Sequence, residues 1–262
     1  MKRIVQAELQ RLTQRRTMVI AGAAALAFAI VSTLTVFASA TETNVSTRRS
    51  GATMASLVDN GGGTEAFAIG ASFAGFLVFV TFIAIVAAEF SGGTFRALLL
   101  REPHRLRLLV GKITGLLIVA AGVVAIIEIV TFGMSLAVAP ANDVSTSAWF
   151  SLGGLGEGLR DYVTVLAGVA GWAVFGSTLA VVFRSAPIAL AVGFAWAGPF
   201  ENIVVDSWST GYRVFPGQVL ASLIRGGTIE LGMSRAVVTA IAYTGVAALI
   251  TLILVSRRDV TS

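Results

Sequence analysis

The sequence predicts an all-α polytopic membrane protein. It has six transmembrane helices, an interfacial N-terminal helix, a short cytoplasmic helix between spans 2 and 3 and a short outer helix before span 6. Three observations predict this. Of 262 residues, 56% are hydrophobic and only 13% are charged, about half the charge of a typical soluble domain. The mean hydropathy is +0.86. Finally, Asp, Glu, Lys and Arg are absent between Arg16 and Glu42, Glu65 and Glu89, Asp161 and Arg184, and Arg235 and Arg257.

Each gap holds the roughly 20 residues that cross a ~30 Å hydrocarbon layer at 1.5 Å per residue. A further stretch, Ile113 to Ala139, is interrupted only by Glu128, and a shorter one from Ala186 to Phe200 is bracketed by Pro187 and Pro199. The expected spans are 17–38, 67–88, 111–137, 161–183, 186–203 and 236–256, within one transmembrane domain covering 1–262. The same composition excludes disorder, which needs few apolar residues and much charge. The pI near 10.4 does not imply nucleic acid, because no basic cluster is interleaved with stacking aromatics. Cysteine is absent, which excludes disulfides, thiolate metal sites and cysteine nucleophiles.

An even number of spans puts both termini on one side. That side then carries thirteen of the nineteen Lys and Arg, and the other carries six. The positive-inside bias makes the richer side cytoplasmic, so a multi-pass protein of the cell membrane with cytoplasmic N and C termini is expected. Trp149 and Trp208 then fall at the outer boundary, where indoles bridge headgroups and acyl chains. A competing feature is Ala38-Ser39-Ala40, which resembles a signal-peptidase site. The preceding apolar run of about 20 residues exceeds the usual 7–15 of a signal-peptide core.

Between the spans, Ile4, Val5, Leu9 and Leu12 recur at helical spacing among Lys2, Arg3, Gln10 and Arg11, which suits a helix in the inner interface; a disordered basic leader is the alternative. The polar, Gly-rich segments 40–65 and 140–160 read as loops with little structure. In 204–235, Phe215-Pro216-Gly217 precedes Val219, Leu220, Leu223 and Ile224, and Arg225-Gly226-Gly227 follows. This pattern predicts a short amphipathic helix with a turn at each end.

The segment Glu89-Phe90-Ser91-Gly92-Gly93-Thr94-Phe95-Arg96-Ala97-Leu98-Leu99-Leu100-Arg101-Glu102-Pro103-His104-Arg105, continuing to Gly111-Lys112, is the most specific. Gly92-Gly93 allows a turn at the bilayer exit, and Thr94 is a competent N-cap. Phe95, Leu98 and Leu99 then share one helical face, with Arg96 and Arg101 around it, until Pro103 ends the helix. An apolar knob with a basic rim suits a groove on a soluble partner.

Here the sequence resembles the permease subunit of ATP-binding-cassette exporters of the ABC-2 type. The family's inner Glu, Gly-Thr-aromatic/Leu-Arg run, Pro-x-Arg and Gly-Lys match Glu89, Gly93-Thr94-Phe95-Arg96, Pro103-His104-Arg105 and Gly111-Lys112. Arg257-Arg258-Asp259 matches its usual ending. Phe95 stands where Leu is commoner, and the outer loop 40–65 is somewhat long.

The resemblance implies that 94–102 is a coupling helix pressed into a cytosolic ABC ATPase subunit, present in two copies. Glu89, Gly93, Thr94, Phe95, Arg96, Leu98, Leu99, Arg101 and Arg105 would serve that coupling. A second permease copy, identical or paralogous, would complete the path through the lipid. ATP and Mg²⁺ would bind the partner subunit. This chain has no G-x-x-x-x-G-K-[ST], and it is expected to hold no catalytic residue, metal or cofactor of its own.

Glu128 is the ionisable residue expected deep in a span, about 22 Å along the third helix. It would serve a substrate path or a dimer contact, or be a tolerated Glu paired with a neighbour. Glu89 would bond Arg96 or Arg105, or be an ordinary interfacial carboxylate. Trp172 and Trp196 lie mid-span, where they would line a path or pack between helices. His104 lacks the neighbours a metal site needs, and Gly111-x-x-x-Gly115 is a candidate close helix contact. The expected cargo is amphipathic (a drug, antibiotic or lipid). The alternatives are an ion- or proton-coupled carrier using Glu128 and a membrane-embedded transferase, which lacks a convergent set of ionisable residues.

Overall fold

Six long apolar helices dominate a computed structural model that describes residues 2–40, 52–100 and 104–257. The described residues form helices and no strand. In chain order they are α1 (Lys2–Leu12), α2 (Arg15–Ser39), α3 (Met54–Val58), α4 (Gly62–Ser91), α5 (Thr94–Leu99) and α6 (Arg105–Val138), then α7 (Leu152–Phe183), α8 (Ala186–Ala195), α9 (Glu201–Ser207), α10 (Gly211–Val214), α11 (Pro216–Ile224) and α12 (Met233–Arg257). Helices α2, α4, α6, α7 and α12, together with the joined α8–α9, are each long and apolar enough to cross a membrane.

The centre of the bundle is the pair α4 and α7, which make its most extensive contact. Helix α6 packs beside them with α2 and α1 on its outer side, while α8, α11 and α12 cover the opposite flank. One apolar cluster runs through the bundle and includes Phe67, Phe79, Ile83, Trp172 and Ile224. The outward faces of α2, α6 and α12 stay rich in exposed Ile, Leu and Val. That distribution suits lipid, which is as apolar as those side chains.

The expected loops are shorter than their composition suggested. Within 40–65, α3 is closed by a capping box in which Thr53 and Ser56 exchange hydrogen bonds, and α4 already begins at Gly62. Residues 41–51 of that segment lie outside the described residues. Within 140–160, two 3-10 turns lead to Leu152, where α7 starts despite four glycines in its first two turns. Ser151 caps it by accepting from the Gly154 N–H at 3.0 Å. A Cβ on Gly154 would lie 2.2 Å from the Trp149 carbonyl oxygen, so glycine is what lets this end pack.

Trp149 also differs from its expected place among lipid headgroups. It is 2% exposed, and its Nε1 donates to the Leu57 carbonyl at 2.9 Å, pinning α3 under the 3-10 turn. Trp208 remains partly exposed and packs edge-on to Phe215.

The fifth span is continuous but widened. Pro199 lacks an N–H and its ring crowds the carbonyl four residues back, so Trp196–Phe200 opens into a π turn, closed by the Glu201 N–H donating to the Trp196 carbonyl. The amphipathic helix expected in 204–235 is α11. It is seated against α4, α7 and α12, with Val219, Leu220, Leu223 and Ile224 buried.

Helix α1 lies along α6. The contact uses Gly111 and Gly115: a Cβ there would come 3.0 Å from Ile4 Cγ2 and 2.9 Å from Glu8 Cβ. Overpacking of this kind costs about 1–3 kcal/mol. Gly115→Val is therefore expected to lower the thermal midpoint in detergent, with Gly122→Val, whose Cβ meets nothing within 4 Å, as the neutral control.

Candidate coupling surface and transmembrane cavities

At the end of the bundle where α1, α5 and the start of α6 meet, the chain buries a cluster of charges. Glu89, two residues before α4 ends, accepts from Lys112 Nζ at 2.5 Å and from Arg11 at 3.2 Å. Lys112 also reaches Glu8 at 3.4 Å, and Arg11 lies 3.6 Å from the second oxygen of Glu8. Glu8, Glu89 and Lys112 are all buried. The expected partners of Glu89 were Arg96 or Arg105. Its carboxylate turns toward Lys112 of α6 and Arg11 of α1, where α4 packs along α6 and α1 closes over that seam; the Arg96 side chain lies outside the described residues. The cluster therefore joins three helices at the base of α5.

Helix α5 follows directly. Gly93 has φ 69° and occupies the N-cap position, so Thr94 is the first helical residue and not the cap that the sequence predicted. The left-handed conformation strongly favours glycine there. Phe95 corrects the knob model. It is 2% exposed and stacks at a tilt on Phe90, with ring centroids 4.6 Å apart. It shares the central apolar cluster with Leu108 and Leu109, against which Leu98 and Leu99 are partly buried.

The predicted apolar face therefore points into the protein and seats α5. What faces outward is Thr94, Ala97 and Leu100, the last 87% exposed. Arg105 opens α6. Arg101, Pro103, Arg258 and Asp259, and the side chain of Arg96, lie outside what the structure describes.

The other candidates lie deeper. Glu128 is in the far half of α6, with Gly158 beside it; a Cβ on that glycine would lie 3.7 Å from Glu128 Oε1. It is not alone at this depth. Asp161 of α7 accepts from Thr64 Oγ1 at 2.6 Å. With Glu65, Glu157, Arg160 and Arg225, Asp161 lines a polar cavity of about 570 Å³ at the far end. Burial pulls the Arg225 guanidinium below the usual arginine range, opposed by the Glu65 carboxylate.

Trp172 and Trp196 are brought together around a residue that the sequence reading missed. Glu201 Oε1 accepts from Trp196 Nε1 at 2.8 Å and from the Gly217 N–H at 3.3 Å. A Cβ on Gly217 would lie 3.1 Å from Trp172 Cη2. Trp172 and Glu201 line a second cavity, of about 360 Å³. Glu201 sits just after Pro199-Phe200, and an acid following a proline-broken span was the only sequence signal for it.

Six apolar helices with charge clustered toward the two ends of the bundle define a polytopic α-helical membrane protein. The model of the family described as "Protein of unknown function (DUF2705)" matches residues 25–261, and the chain belongs to that family. A comparison with curated proteins returns no match.

Proposed function

We propose that this chain is the permease subunit of an ABC-2-type exporter, which moves an amphipathic cargo out of the cytoplasm with ATP hydrolysed on a separate subunit. The observation that carries the reading is α5: a short helix slung between α4 and α6, seated by Phe95 and underlain by the Glu89–Lys112–Glu8 cluster, within the motif that resembles this family. A helix held at both edges transmits a push from a docked ATPase to α4 and α6 without absorbing it. The resemblance puts ATP and Mg²⁺ on two copies of that partner, and puts a second permease copy across the path. In the sequence, six alternating spans put thirteen of the nineteen Lys and Arg on the side of the α4–α6 connection, and the positive-inside bias supports a cytoplasmic placement of that side, with the cell membrane as the proposed host.

The test is purification of the tagged chain from its native membranes. A co-purifying polypeptide with a Walker A motif and vanadate-sensitive ATPase activity is expected. The pair Ala97→Asp and Leu100→Asp puts charge on the outward face only, so it is expected to lose at least about nine-tenths of that partner while remaining monodisperse. Retention of the full complex by the double variant would end the docking assignment.

A second reading, a proton-coupled carrier, draws on Glu128 standing at the same depth as the Thr64–Asp161 pair. Cargo uptake driven by a proton gradient in vesicles lacking any ATPase, and abolished by Glu128→Gln, would favour it.

A further inference from the structure

The 360 Å³ cavity is a groove between α4 on one side and α9 and α11 on the other, within the size range of small-molecule sites. Trp172 is buried at its floor, Phe76 is half-buried on its wall and Phe73, largely exposed, stands at its mouth, while its charged lining includes Glu201, Asp206, Glu230 and Arg225. Glu201 is 1% exposed; its Oε1 is held by Trp196 and Gly217 and the Gln218 N–H also faces the carboxylate, while its Oε2 makes no well-aligned hydrogen bond.

A buried carboxylate that is only half satisfied is expensive in an apolar setting. The group that complements it is a cation, and aromatic faces are the surfaces that bind cations able to shed water. A small inorganic ion does not suit the groove, because no group of three metal-ligating side chains occurs among the described residues. An anion would meet the buried Glu201 carboxylate.

We propose that this groove binds an amphipathic organic cation, with its positive centre at Glu201 and its apolar body on Phe73, Phe76 and Trp172. To call that cation the cargo rests on the exporter reading; its binding does not.

The experiment places the purified chain in phosphatidylcholine nanodiscs. It compares radiolabelled tetraphenylphosphonium with tetraphenylborate, which has the same shape and the opposite charge. Saturable binding of the cation, above empty discs and at about one per chain, is expected, with the anion at least about tenfold weaker. Glu201→Gln keeps an acceptor for Trp196 and Gly217 but removes the charge. It is expected to weaken cation binding about tenfold or more with a thermal midpoint no lower than that of the parent. Ala221→Phe fills the groove from α11 without touching a charge and is expected to abolish binding.

Cation binding no greater than in empty discs, equal binding of the two ions, or unchanged affinity in both variants would overturn the site. Each of those outcomes leaves the ATPase pull-down intact. Loss of the ATPase partner with cation binding retained would instead remove the exporter reading and leave the site standing.

Discussion

Lys112→Met is expected to destabilise the protein by about 3–5 kcal/mol, the usual cost of removing one partner from a buried ion pair. Lys112 is 7% exposed and is the cation that bridges Glu89 at 2.5 Å and Glu8 at 3.4 Å. Arg11 touches both carboxylates at longer range, and its own side chain is about half exposed. Without Lys112 two carboxylates remain in an apolar seam with one solvated guanidinium between them. In detergent, followed by tryptophan fluorescence, the thermal midpoint should fall by roughly 10 °C. Removing the acids as well, in Glu8→Gln/Glu89→Gln/Lys112→Met, should restore most of the loss, because no charge is then left buried alone. An unchanged midpoint for the single variant would show that water reaches the cluster and that it does not hold α1, α4 and α6 together.

The spans were legible because a membrane helix must exclude charge along its whole length, and that constraint is local in sequence. Their ends were not. Gly153, Gly154, Gly156 and Gly158 have the composition of a loop, yet the Trp149 backbone presses so closely on Gly154 that a side chain there would stop the helix from beginning as it does. Glu89 stood out in the sequence by its position at the end of a span. Its partners Lys112 and Arg11 lie 23 and 78 residues away, a distance at which spacing carries no geometric information. Glu201 escaped for a related reason. What makes it a site is the π turn at Pro199, which faces its carboxylate to the N-terminus of α11, and that is a tertiary event. Periodicity found the apolar face of α5 in Phe95, Leu98 and Leu99. A period gives a face but no direction, and this one points inward.

That inversion yields the second large effect. Phe95→Ala is expected to cost about 3–5 kcal/mol, the range for deleting a buried phenylalanine, because the ring is 2% exposed and stacked on Phe90. Phe95→Leu, closer in volume and the commoner residue of the resembled motif, should cost under about 1.5 kcal/mol. Leu100→Asp, at an 87% exposed position, should move stability by no more than about 0.5 kcal/mol. Stability and retention of the ATPase partner, measured on the same preparations, then separate two roles that one variant would confuse. Phe95→Ala loses the partner because α5 loses its seat, so its thermal midpoint falls with it. Leu100→Asp loses the partner at full stability. A Phe95→Ala protein with an unchanged midpoint would mean that the ring does not anchor α5. On the proposed exporter reading, the link from an ATPase to the pair α4 and α6 would then have to lie in the charge cluster alone.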